Sequence, residues 1–356
     1  MKKLRSLFVV NFALLFAANL SGCSSNEKVD ILFGDMHAES LTTVSYGVLK
    51  EKVDSKENFM LTVQYSDNCG CWSDSKPIIE RYIKEKHVNV YHIKLEELDG
   101  NNNRFGIDII SGNVTFAIFK DGVVKSSTTT KEDSLKIYDS FVSYVESVIQ
   151  LPKMYYVSLE DVNNLYKSTD KNILYFSRST CGDCSWMDSN GLKSWSQKTT
   201  KYSKTIYVLD CDQAGIRYKE DGKTVDKEQW QAFKHAYGLS TQNNPTYGYE
   251  TGVVPTFYLI QGSETAVNFL SGCVIFNDSV SKAEDGNYYV TNSYYTSERL
   301  PNLQYVDSGV KTKVLKGMKV ESGVIDNGQY SYWDHSAAEK YHNVFLEKFL
   351  DWAGQQ

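Results

Sequence analysis

The chain has 356 residues, a formal net charge of −6, 41% hydrophobic residues and 23% charged ones. This is enough chain for two domains with cores of their own, in a composition that is globular rather than disordered or membrane-spanning. The acidic balance deepens once a basic leader is removed, and it excludes a phosphate backbone, hence nucleic acid, as the natural partner.

The leader comes first. Lys2, Lys3 and Arg5 form a basic start, and Leu7 to Leu20 is an apolar run broken by two asparagines. That run is too short and too impure for a membrane span and fits an export signal over residues 1–22. It ends in Leu20-Ser21-Gly22-Cys23, which resembles a bacterial lipobox. The resemblance implies cleavage before Cys23, lipidation of its thiol and a tether over 23–37. The protein is then expected at the cell membrane, lipid-anchored and facing the extracytoplasmic side. The plainer alternative is a secreted protein in which Cys23 is incidental.

From 38 onward the elements follow in order. Leu41, Val44, Tyr46, Val48, Leu49 and Val53 are spaced loosely as a helix, and Phe59 to Tyr65 reads as a strand. A short loop leads to Cys69-Gly70-Cys71-Trp72. Ile78, Ile79, Tyr82 and Ile83 then have helical spacing, with Pro77 either kinking the helix or setting its start. Val88 to Leu95 is a strand, Val114 to Gly122 a strand running into a hairpin, and Ser134 to Gln150 an amphipathic helix.

The order repeats. Met154 to Val157 is a strand, Leu159 to Tyr166 a helix, and Asn172 to Phe176 a buried strand. Thr180-Cys181-Gly182-Asp183-Cys184 follows, opening a helix interrupted at Gly191. Thr205 to Asp210 and Thr256 to Ile260 are further strands, the latter with a partner around Val267 to Phe276. Ser336 to Trp352 is a closing amphipathic helix. The repetition predicts an internal duplication, with a boundary near Leu151-Pro152. Domain 1 is expected over 38–151. Domain 2 is expected over 152–356, with surface insertions at 213–252, holding a helix around Lys227 to His235, and at 278–328.

A strand, a loop and C-x-x-C at a helix start make two cysteines a redox pair. The helix terminus favours a thiolate at Cys181, with Cys184 as the resolving partner. Together with Val254-Pro255-Thr256, the motif resembles the thioredoxin family, implying an α/β fold of two tandem thioredoxin-like domains, each a mixed sheet flanked by helices. By that resemblance Pro255 is cis, and Val254, Pro255 and Thr256 hold a bound cysteine-containing chain. The chain also departs from the family. Thr180 stands where an aromatic residue is usual, Tyr175 replaces the buried acid of the preceding strand, and Asp183 opposes the thiolate by its charge. The first copy is more distant. Its cysteines are one residue closer, and Val114 stands where Pro255 would match. Cys69 and Cys71 therefore read either as a second redox pair or as a static disulfide or idle thiols.

The cysteines have two further conceivable uses. Cys181, Cys184, Cys211 and Cys273 could supply four thiolates to zinc, but the last two are widely spaced, whereas structural zinc takes two close pairs. Cys211 and Cys273 are expected about three strand spacings, or ~14 Å, apart, too far for a disulfide. No metal is assigned. The six histidines make no ligand spacing. The resulting expectation is a membrane-anchored thiol–disulfide oxidoreductase that needs no cofactor beyond its own dithiol. Its partners are exported cysteine-containing proteins or a membrane electron-transfer partner. The alternative is a non-catalytic surface binding module or export accessory subunit.

Overall fold

The computed structural model describes residues 28–198, 204–282, 288–296, 310–314, 319–320, 323–324, 346–347 and 349–356. The expected export signal and Cys23 lie outside the described residues, as does most of the expected closing helix.

The first sheet is built from β3 (Thr42–Thr43), β4 (Phe59–Gln64), β5 (Val90–Lys94), β6 (Thr115–Lys120) and β7 (Val123–Thr129), in the order β3-β5-β4-β6-β7. β3, β5 and β4 are parallel, whereas β6 and β7 are antiparallel to their neighbours. Side chains alternate across the strands and sort into two cores. Met60, Phe116 and Ile118 pack with Ile79 and Tyr82 of α2 (Gly70–Lys86) and Phe141 and Val145 of α4 (Tyr138–Val148). Phe59, Leu61 and Phe119 pack with Leu49 of α1 (Tyr46–Asp54) and with Leu95 and Leu98 of α3 (Leu95–Gly100). Local chemistry sets the ends. Ser45 caps α1 by accepting from the Val48 N–H, and Asp121 and Gly122, both at positive φ, make the tight turn between β6 and β7. Pro77 lies inside α2, which starts at Gly70 with Cys69 as its N-cap. The two-residue β3 and the short α3 had no periodic signal to announce them.

The second sheet repeats the plan. β9 (Met154–Tyr156), β10 (Lys171–Ser177), β11 (Ile206–Asp210), β12 (Thr256–Gly262) and β13 (Val267–Lys282) run in the order β9-β11-β10-β12-β13, the first three parallel and the last two antiparallel. Ile173, Tyr175, Phe257 and Leu259 face one core with Trp195 and the C-terminal Leu346, Phe349 and Leu350. Leu174, Phe176, Tyr258 and Ile260 face the other, with Val162 of α5 (Leu159–Lys167) and Phe233 of the helix Lys227–Ala236. The chain thus has an α/β fold of two tandem units with like strand order, each a mixed sheet flanked by helices, as the thioredoxin resemblance implies.

One expectation about the edges is corrected and another is given its structure. Residues 29–35, expected within a tether, form β1 (Val29–Asp30) and β2 (Phe33–Asp35). β1 pairs with β8 (Ile149–Gln150), and β2 adds a parallel strand beside β9, so the segment preceding the first domain completes the second sheet. Gly34 permits this contact, because a Cβ there would stand 2.3 Å from the His87 carbonyl oxygen. The described part of the 278–328 insertion, expected as a surface elaboration, is sheet. β13 continues to Lys282, and β14 (Tyr288–Thr296) and β15 (Val310–Val314) extend the sheet to eight strands. Among the described residues no helix is long and apolar enough to cross a membrane.

Candidate active site

β10 is central in its sheet, and its C-terminal end delivers the chain into Arg178-Ser179-Thr180 and then Cys181. Cys181 is the N-cap of α6 (Gly182–Trp186). The chain continues through one π-helical stretch, Met187–Leu192, into α7 (Lys193–Lys198). The interruption read at Gly191 falls in that stretch, where a Cβ would meet the Met187 sulfur at 2.6 Å and Leu346 at 3.2 Å. β12 pairs antiparallel with β10, Thr256 opposite Phe176, which brings the preceding loop beside the motif. The Val254–Pro255 bond is cis, and the Cys181 Sγ lies 3.9 Å from the Val254 carbonyl oxygen. Thr256 donates from its hydroxyl to the Val253 carbonyl at 2.7 Å. Cys181, Cys184, Val254, Pro255 and Thr256 are therefore one site. Cys181 is 7% exposed and Cys184 is buried.

The two thiols are held in opposite states. The Cys184 thiol hydrogen-bonds to Cys181 and, with the backbone N–H groups of Cys184 and Asp183 and the charge of Arg178, lowers Cys181 to about 6 against the pull of burial. The same hydrogen bond and burial push Cys184 far up. Asp183 thus contributes an N–H that favours the thiolate its carboxylate was expected to oppose.

A partly buried acid is present after all. Tyr175 does stand where a strand acid was expected, but its hydroxyl donates to Oδ1 of Asp188 at 2.9 Å. Burial raises Asp188 to about 7, and its charge is felt at Cys184. Asp188 follows Cys184 by four residues, one helical turn on the same face. That spacing was legible, but an acid on a helix reads as solvent-facing until the packing is known. Asp188 borders a cavity of about 670 Å³ between the domains, lined also by Ser179, Ser185, Asp210 and, from the first domain, Lys52 and Tyr91.

Sequence reasoning also missed the clamp on the motif loop. Asp212 accepts from the Thr180 N–H at 3.0 Å and its hydroxyl at 2.6 Å, and from Arg217 at 3.1 Å. Arg217 also donates to the Thr180 hydroxyl at 3.0 Å, and Arg178 stands 3.8 Å from Asp212. Thr180 in place of an aromatic residue is thus tied to the first insertion, through Arg217.

Cys69 and Cys71 are placed elsewhere, at the end of β4 in the first sheet, and are joined as a disulfide. Val114, opposite that end, is buried, and its N–H donates to Thr130 rather than facing a groove. Cys211 shares the core that holds Cys181 and Cys184, whereas Cys273 lies in the core on the opposite sheet face. Among the described residues the four free cysteines therefore do not converge on one ion.

No protein-family model matches the chain, and no curated protein does. Among solved structures the chain is similar to a single-site mutant of thioredoxin from Halobacterium salinarum, at 20% identity over 32% of this chain and 95% of that one, TM-score 0.26. It is similar to thioredoxin f from spinach chloroplast (long form), at 17% identity over 31% and 88%, TM-score 0.25. It is also similar to the first two thioredoxin domains of Saccharomyces cerevisiae Eps1p, at 13% identity over 64% and 90%, TM-score 0.21.

Proposed function

We propose that the protein is a thiol–disulfide oxidoreductase working through Cys181 and Cys184. The observation that carries this reading is the placement of Cys181, which caps a helix with its sulfur 3.9 Å from the carbonyl of the cis Val254–Pro255 bond; the pair's hydrogen bond lowers Cys181 and raises Cys184. In the reductive direction the Cys181 thiolate attacks a substrate disulfide, forming a mixed disulfide and releasing one substrate thiolate. Cys184 then attacks the Cys181 sulfur, closing the Cys181–Cys184 disulfide and releasing the second thiolate. Asp188, ionised near neutrality and one turn from Cys184, receives the Cys184 proton, and the cavity it borders passes that proton to solvent. Two electrons move from the dithiol to the substrate, and the oxidative direction is the reverse. Val254 and Pro255 line the place where the substrate chain rests.

The lipobox-like stretch ending at Cys23 supports an extracytoplasmic, lipid-anchored setting, with exported cysteine-containing proteins as substrates or a membrane electron-transfer partner. A binding-module reading draws on the first domain, whose cysteines are already joined and which has no proline loop facing them.

The test is a redox titration in glutathione buffers with thiol trapping and mass spectrometry. Reversible interconversion of Cys181 and Cys184 within the range of known oxidoreductases is the expected result. A pair that stays locked as a disulfide at every potential would refute the reading.

A further inference from the structure

We infer that the Cys181 site selects disulfides carried on an acidic peptide segment, with Arg178 and Arg217 as the selecting groups and the buried Lys234 adding its charge from behind them. The inference rests on the oxidoreductase reading and names its substrate class.

The chain is net acidic, yet two arginines stand beside the motif and a third cation, Lys234, lies buried behind the proline loop. Arg178 directly follows β10 and its charge acts on Cys181. Lys234 comes from the helix of the first insertion. Its Nζ donates to the Gly252 carbonyl at 3.0 Å, two residues before Val254, and it feels the charge of Arg178. Gly252 makes room for its stem, since a Cβ there would stand 3.0 Å from the Lys234 Cβ, and the glycine φ of +90° suits no other residue. The ammonium lies 5.6 Å from the Trp230 ring centre, and among the described residues no carboxylate pairs with it.

The local acid is already occupied. Asp212 takes both donors of Thr180 and one of Arg217, leaving Arg178 at 3.8 Å. Asp210, the next acid, accepts from the N–H groups of Asp212 and Gln213 at 2.9 and 3.0 Å. A guanidinium has five N–H donors, and the Nε atoms of both Arg178 and Arg217 are buried without a partner among the described residues. Those side chains are 21% and 16% exposed, and because the Nε atoms are buried, any N–H that a ligand reaches is on the terminal nitrogens. Planar, incompletely matched forks beside a cysteine suit a carboxylate, which takes two parallel hydrogen bonds from one guanidinium. A glutamate or aspartate next to the substrate cysteine brings that group to the rim when its sulfur meets Cys181. A lysine there meets like charge.

The experiment is a single turnover of the reduced full-length chain with excess disulfide-linked peptides that differ only in the residue beside the cysteine, Glu, Gln or Lys. The protein dithiol supplies both electrons, so no other reductant enters. The expected order of rates is Glu, then Gln, then Lys, with roughly a five- to tenfold gap between Glu and Gln that shrinks in high salt. In Arg178→Gln the Glu-to-Gln ratio falls to about one. Taking the ratio cancels the accompanying loss of thiolate at Cys181. Arg178→Lys, which keeps the charge without the fork, retains part of the preference. Equal rates for all three peptides would overturn the charge selection and leave the oxidoreductase reading intact. A Glu preference indifferent to salt and to Arg178 would overturn it too. No turnover of any peptide would remove the reading on which it rests.

Discussion

The first domain closes its two cysteines on each other, whereas the second keeps them as unequal thiols under a proline loop. The sheets are alike in strand order, and in both the cysteines stand at the start of a helix after a central strand. The difference lies in what surrounds that common position. In the second domain Asp188, Arg178 and the Val254 carbonyl bring an acid, a cation and a backbone acceptor to the sulfurs. In the first, the corresponding region holds Trp72 stacked 4.8 Å from His92, whose ring nitrogens are taken by Gln64 and Thr43. A shared topology therefore fixes where chemistry can be placed. The side chains brought to that place decide whether it occurs.

The largest test of this contrast is to remove the sulfurs one domain at a time. Cys181→Ser is expected to lower disulfide exchange by at least about a thousandfold, whereas Cys69→Ser leaves the rate within about twofold, measured on the same peptide disulfide. Comparable losses from both would show two working sites. In the parent protein the rate should rise with pH through about 6 as the Cys181 thiolate forms.

Asp188→Asn sharpens the comparison from the side of the partly buried acid. Resolution of the mixed disulfide should slow roughly a hundredfold, with loss of the inflection near 7. Stability should move the other way. The folded state raises Asp188 from its ordinary value near 4 to about 7, so its contribution is present below 4 and lost as pH rises through 7. The variant is therefore expected to be more stable at pH 8, by up to about 4 kcal/mol in denaturant titration, and little changed at acid pH. Asparagine keeps an acceptor for the Tyr175 hydroxyl, so the gain is not offset by an orphaned donor.

Asp212→Ala comes next. It strips the acceptor from Thr180 and Arg217 and is expected to destabilise the second domain by about 1–3 kcal/mol, with slower exchange as the motif loop loosens. The smallest effect belongs to the first domain. The Cys69–Cys71 ring is so short that its reduction should lower stability by no more than about 2 kcal/mol, read as a small shift in the unfolding midpoint.

Much of this contrast was legible beforehand. The duplication, the C-x-x-C at a helix start and the proline loop are local patterns, carried by hydrophobic period and by cysteine and proline spacing. The contacts that tune the site were not. Asp188 and Tyr175 are 13 residues apart, Thr180 and Asp212 are 32 apart, and Cys181 and Val254 are 73 apart. Such pairs meet only when β10, β11 and β12 take their places side by side.

By itself the sequence determined the α/β class, the two-fold repetition of the sheet plan and which four residues form the close cysteine pairs. Local periodicity and turn chemistry suffice for these, because each strand or helix carries its own pattern. Tertiary structure alone decided that residues 29–35 complete the second sheet instead of tethering it, and that part of a polar insertion extends that sheet. It also decided that the acid near the resolving thiol comes from the helix. The physical reason is common to all three. Strand edges, and the burial that shifts a carboxyl, are properties of neighbours distant in the chain, and no window of sequence contains them.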